Sequence, residues 1–218
     1  MEEIKNEEDS VPYLKVTLIG DSGVGKSCII KRYINDEFVS GLVSTRGANY
    51  STKVVHRNGK ALRLDLWDTA GQEQYRSLGI HFYRDSYVII LVYDITNKFS
   101  FEELQKYWIE QVKESSPRNI ILAIVANKSD LIEYEQVDEG TARQFAKDND
   151  ALFAVTSAKQ ISTVESLFLD IAKKYTGTDS ALTLEEKDEI EEFRKIRKES
   201  VKITKDTQNK APKKKGCC

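Results

Sequence analysis

No apolar run in the 218 residues approaches the roughly 20 that a membrane-spanning helix requires. Residues 1–10 are polar and acidic and lack the apolar core of a signal peptide, so a cytosolic protein is expected. Net charge is only −2, which removes the bulk electrostatic case for nucleic-acid binding. Histidine is almost missing: His56 and His81 stand far apart without ligand-spaced partners, so neither a zinc site nor a histidine-activated nucleophile is expected. Three cysteines make no disulfide framework and suit a reducing compartment. Cys28 reads as a small buried residue of a helix, and Cys217 and Cys218 are the last two residues.

What is present is arranged around Gly20-Asp21-Ser22-Gly23-Val24-Gly25-Lys26-Ser27, which meets the pattern G-x-x-x-x-G-K-[ST] at every defined position. An apolar run over 13–19 reads as a buried strand before it, and 28–34 reads as the opening of a helix after it. In that setting glycines let successive backbone N–H groups turn inward around an oxygen anion. The positive end of the helix adds roughly half an elementary charge. Lys26 is expected to reach the outer phosphates of a nucleotide, and the Ser27 hydroxyl to hold a magnesium ion.

From Tyr13 onward apolar strands alternate with helical patterns. Strands are expected over 14–19, 51–57, 61–67, 87–93, 120–126 and 152–156, and helices over 26–35, about 100–114, 138–148 and 163–175. Asn58-Gly59 is a hairpin turn signal, so the second and third strands should pair antiparallel. The runs 88–92 and 120–125 are continuously apolar, as in strands covered on both faces. Ser100 followed by Glu103 reads as a capping box. The rhythm predicts an α/β protein with a mostly parallel six-stranded sheet, one antiparallel edge strand and helices on both faces, and with the motif at Gly20–Ser27 it is expected to be of the P-loop NTPase fold. Ligands of such sheets lie at the carboxyl ends of the strands. Gly20, Asp68, Asn127 and Ser157 each follow an expected strand.

Three further stretches carry chemistry. In Trp67-Asp68-Thr69-Ala70-Gly71-Gln72-Glu73, the Asp68 carboxylate suits magnesium, through a water. Gly71 allows a close backbone approach to a terminal phosphate, and Gln72 is placed to orient an attacking water. In Asn127-Lys128-Ser129-Asp130, one ionised carboxylate can accept both the N1–H and the N2 amino group of guanine. Adenine offers that carboxylate an acceptor instead, and is rejected by the unpaired polar groups that result. Asn127 is expected to hold the loop and the other edge of the base, and the Lys128 stem to cover its face. Ser157-Ala158-Lys159 gains weight only beside the others: the Ala158 N–H can donate to guanine O6 while Lys159 lies along the ring.

With these residues in view, the chain resembles the small GTPases of the Ras superfamily, and more closely their Rab branch, over about residues 13–175. Leu91-Val92-Tyr93-Asp94-Ile95-Thr96 matches a Rab-type segment as it stands. The resemblance implies magnesium-dependent binding and slow hydrolysis of GTP to GDP by a membrane-anchored switch in vesicle traffic. It implies nucleotide contacts from Asp21, Ser22, Gly23, Val24, Gly25, Lys26, Ser27 and Cys28, from Phe38 against the base, and from the later motifs named above. Catalysis falls to Gln72 and Lys26. Thr45 would join Ser27 and Asp68 around the metal only when a third phosphate is present, which orders its loop. Tyr50, Trp67 and Phe82 fall where Rab proteins carry an aromatic triad read by effectors. Arg46 departs from the isoleucine usual there, which bears on the choice of effector rather than on nucleotide chemistry.

The domains expected are a disordered extension over 1–11, a GTPase domain over 12–176 and a charged tail over 177–218. Within that tail, 185–202 reads as a solvated linker, a marginal helix or a segment that orders on a partner. The terminal Cys217-Cys218 after a lysine run is similar to Rab tails that receive two geranylgeranyl groups, enough for stable anchoring. The expected partners are an exchange factor, an activating protein, effectors and the cytosolic face of endomembranes, with no nucleic acid, and the expected state is a monomer. A GTP-binding module with little hydrolysis, another Ras-superfamily branch, a P-loop ATPase and a lipid-tethered scaffold are the alternatives.

Overall fold

The structure is a computed structural model that describes residues 11–57, 60–72, 82–115 and 120–176. The chain divides into Met1–Thr178 and Asp179–Cys218, and all described residues belong to the first unit. The lead-in over 1–10, the Asn58-Gly59 turn, His81, the stretch 185–202, and Cys217 and Cys218 lie outside the described residues.

Six strands form one sheet: β1 (Tyr13–Ile19), β2 (Ala48–Arg57), β3 (Lys60–Thr69), β4 (Val88–Asp94), β5 (Ile121–Asn127) and β6 (Leu152–Val155). Their order is β2-β3-β1-β4-β5-β6. Neighbouring strands are parallel except β2 and β3, which pair antiparallel from Ala48↔Thr69 to Arg57↔Lys60. The sheet is therefore the expected one, with its antiparallel strand at an edge.

Side chains of β4 point alternately into two cores. Val88, Ile90 and Val92 join α1 (Lys26–Asn35) and α4 (Ile161–Thr176) on one face, through Ile29, Ile30 and Tyr33 and through Val164, Leu167, Phe168 and Ile171. Ile89, Leu91 and Tyr93 face the other core. There they meet Phe101, Leu104, Trp108, Ile109 and Val112 of a long helix, and Ala142 and Ala146 of α3 (Glu139–Asp148). The long helix, α2, runs without a break through Lys98–Glu103, Leu104–Trp108 and Ile109–Ser115, the middle stretch being wound as a wide π-turn. Among the described residues no helix is long and apolar enough to cross a membrane.

Several bounds differ from expectation. α2 opens at Lys98, not Ser100, because the Asn97 side chain accepts the Phe99 N–H and so provides the cap. Ser100 lies buried inside the helix, its hydroxyl donating to Asn97 O at 2.7 Å and accepting the Asp94 N–H at 3.1 Å. β2 and β3 are longer than their apolar alternation suggested, since the antiparallel ladder carries polar Asn49 and Asp68 along with it. Asp68 and Asn127 are thus strand residues rather than the residues after a strand. A short 3-10 helix, Ser129–Tyr134, follows β5 and was not anticipated.

Candidate functional site

The carboxyl ends of β1, β3, β4, β5 and β6 lie along one edge of the sheet, and the loops that leave them build the site. The loop from β1 ends at Gly25, which stands at the N-terminus of α1 with φ +101°, a conformation L side chains rarely adopt. No side chain caps α1 and no acidic residue occupies its first turn. Its leading amides and positive dipole end are left for an external anion. Lys26, 5% exposed, lies over this loop and donates to the carbonyls of Gly20 at 2.7 Å and Asp21 at 2.8 Å. Burial lowers its pKa to about 8, against the opposing pull of the Asp68 and Asp21 carboxylates. Val24 is buried, whereas Ser22 and Gly23 are exposed.

Three oxygen-bearing side chains meet beside Lys26. Ser27 donates to Asp68 Oδ2 at 2.7 Å, Thr45 donates to the same atom at 3.2 Å, and the two hydroxyls are 3.0 Å apart. The other carboxylate oxygen, Asp68 Oδ1, is buried with no hydrogen-bond partner among the described residues. A buried carboxylate oxygen costs free energy without a partner. An all-oxygen set with one acceptor to spare is the chemistry magnesium favours. The residues present therefore fit that ion. Gly71 comes so close to the loop that a Cβ would lie 2.4 Å from the Asp21 carbonyl carbon. Half-buried Gln72 follows it.

The β5–β6 side of the site is a network. Asn127, 1% exposed, donates from Nδ2 to Val24 O at 2.8 Å and accepts at Oδ1 from the Thr156 hydroxyl at 3.0 Å, which ties the loop after β1 to the β5 and β6 ends. Asp130 accepts from the Ser157 hydroxyl at 2.6 Å and from Lys159 Nζ at 2.6 Å. Burial works against its charge, but those bonds, a backbone hydrogen bond and the Lys159 charge together hold the carboxyl below the usual range. Lys128, with φ +66°, pairs with Asp94 at 2.6 Å. The Lys159 ammonium sits 5.8 Å from the ring of exposed Phe38, and the buried Ala158 gives its carbonyl to Arg32 Nε at 2.7 Å. Cys28 is half-buried rather than fully enclosed, and burial raises its thiol pKa.

The three expected aromatics form a row on the β2–β3 side of the sheet. Tyr50 and Trp67 have ring centroids 5.2 Å apart, and Trp67 and Phe82 5.8 Å. Tyr50 is 51% exposed, so the row is not simply core. Sequence reasoning missed the groups that grip the site residues: Asp94 on Lys128, Thr156 on Asn127, Ser157 on Asp130 and Arg32 on the Ala158 carbonyl. Asp94 carried a signal, as a polar residue ending an apolar strand. Arg32 carried none.

The profile of the Ras family matches residues 15–177. The chain is 41% identical over 169 residues to the Ras-related protein Rab-22A of Homo sapiens, covering 78% of this chain and 87% of that one. It is 40% identical over 158 residues to the Ras-related protein Rab-1A of Dictyostelium discoideum, covering 72% and 78%. With the Ras-related protein Rab-31 of Rattus norvegicus it shares 41% identity over 166 residues, covering 76% and 85%.

Proposed function

Since the chain belongs to the Ras family, in its Rab branch, and is a GTP hydrolase, we propose that it serves as a magnesium-dependent switch in vesicle traffic. The observation that supports this most is the Asn127 side chain, which joins the phosphate loop to the base loop. One ligand carrying both a base and phosphates answers both loops.

In this reading Asp130 offers its two carboxylate oxygens to the N1–H and N2 amino group of guanine, and Ser157 and Lys159 keep it ionised and oriented. Lys128 and Phe38 flank the base, and the Ala158 N–H meets O6. The amides from Asp21 to Cys28 and the Lys26 ammonium hold the phosphates. Ser27 and Thr45 would ligate magnesium directly, and Asp68 through a water. When bound, the ion neutralises charge on the phosphate oxygens. Gln72 orients the attacking water, and the Gly71 N–H meets the terminal phosphate. No arginine of the chain is assigned to the transition state, so turnover is slow until an activating protein engages.

The rest of the reading concerns the surroundings. Residues 12–176 form the GTPase domain, and 177–218 a tail whose Cys217 and Cys218 take geranylgeranyl groups. The monomer then cycles between the cytosol and the cytosolic face of endomembranes. An exchange factor loads it, and effectors read Tyr50, Trp67 and Phe82. Single-turnover phosphate release tests the hydrolytic part. The intact protein should release phosphate slowly, and Gln72→Leu should release it at least about tenfold more slowly, a barrier change of ~1.4 kcal/mol. GTP binding should persist in that variant. Equal release by both proteins would remove Gln72 from the reaction.

A further inference from the structure

Asp21, the second residue of the phosphate loop, is held from outside the site. Its Oδ1 accepts the indole N–H of Trp108 at 2.9 Å, a bond between residues 87 apart in sequence. Trp108 is 2% exposed and belongs to the core on the far side of the sheet from α1. It closes the wide turn Leu104–Trp108, after which the Ile109 N–H reaches back to Leu104 O, one residue farther than in an α-helix. Such a turn inserts a residue and re-aims the side chains around it, and these turns recur at functional sites. Core packing alone would be served by any large apolar side chain. The indole N–H is the one donor of its side chain.

Asp21 is also a junction. Its carbonyl accepts Lys26 Nζ at 2.8 Å, and its backbone leaves no room for a Cβ on Gly71. The groups that hold and face the phosphates therefore touch one peptide unit, whose side chain is moored to α2.

We propose that Trp108 is a positioning residue for the phosphate loop: by mooring the Asp21 carboxylate it fixes the peptide on which Lys26 and Gly71 rest, and so slows nucleotide release. This rests on the reading of residues 20–27 as a phosphate loop. Releasing the mooring lets the Asp21 carboxylate and its peptide turn, and with them the Lys26 contact. The mooring also makes α2 sensitive to what the loop holds, since a shift of Asp21 is felt at the indole.

The test is a double-mutant cycle on the full chain loaded with a fluorescent GDP analogue and chased with unlabelled GDP. Trp108→Phe keeps an aromatic ring and removes the donor, while Asp21→Ala removes the acceptor. Each should speed release by roughly tenfold or more, the scale of a lost hydrogen bond to a charged group. The double variant should be no faster than the faster single one, because both remove one bond. Multiplying effects, or an unchanged rate in Trp108→Phe, would overturn the proposal. A second measurement serves if Trp108→Phe does not fold. Trp67→Phe leaves Trp108 as the sole tryptophan of the two in the chain. Its emission should then differ between the GDP form and one bound to a non-hydrolysable GTP analogue, and the difference should vanish with Asp21→Ala. Emission blind to the nucleotide, or a difference that survives Asp21→Ala, would overturn the proposal as well. If the unaltered protein does not take up the analogue at all, the phosphate-loop reading fails and this proposal with it. Uptake with a multiplying cycle defeats this proposal alone.

Discussion

Lys26 is one residue through which pH reaches the site. Burial takes its ammonium down to about 8, with Asp68 and then Asp21 pulling the other way. Phosphate oxygens added beside it act in the same sense as those carboxylates, so the bound form has the higher pKa. Below about pH 8 both forms carry the proton, and this group gives affinity no pH dependence. Above it, binding must draw a proton, and GDP affinity should fall, approaching about tenfold per pH unit. Calorimetry in two buffers of different ionisation enthalpy would count that proton, and a flat profile with no uptake would show that Lys26 stays charged throughout. At the base, Asp130→Asn replaces two acceptors by one acceptor and one donor. GDP affinity should drop by on the order of a hundredfold or more, and xanthosine diphosphate should gain, which a competition assay reads directly. Unaltered base preference would take the role away from Asp130. That these residues would gather at one sheet edge was legible in their types and spacings. Their grips, Ser157 on Asp130 and Asp94 on Lys128, were not, because such pairs are joined only by the sheet.

At the scale of elements, α2 separates two residues of types that can cap a helix, Asn97 and Ser100. Asn97 is exposed and its side chain takes one amide of the first turn. Asn97→Ala should cost about 1 kcal/mol of stability, the usual value of an N-cap. Ser100→Ala should cost more, about 1–3 kcal/mol, because it strands the buried Asp94 N–H that the hydroxyl accepts. Urea denaturation of the two variants ranks them: no loss at Asn97 would contradict the cap assignment, and a smaller loss at Ser100 than at Asn97 would contradict the role of its buried hydroxyl. Both residue types start helices, so sequence alone could not choose between them. The choice is made by the end of β4, where the Asp94 N–H needs an acceptor. The same limit hid the π-turn, since the spacing of Leu104, Trp108 and Val112 reads as an ordinary helix. By contrast β4 and β5 were plain, because only a strand covered on both faces stays apolar through every position.

At the scale of the molecule, the strand order makes the site. β1 lies between β3 and β4, so the loop of residues 20–25 stands beside Asp68. β5 and β6 bring the loops of Asp130 and Ser157 to the same edge, and Asn127 spans the gap to Val24. The proposed function stands on one selection: a purine chosen by Asp130 on one side and its phosphates held by residues 20–27 on the other. Titration calorimetry of the intact protein with magnesium, comparing GDP and GTP with ADP and ATP, tests it most directly. Guanine nucleotides should bind at least about a thousandfold tighter, as in sites whose polar groups are left unpaired by the wrong ligand. Equal affinities for guanine and adenine nucleotides, or no binding of either, would contradict it.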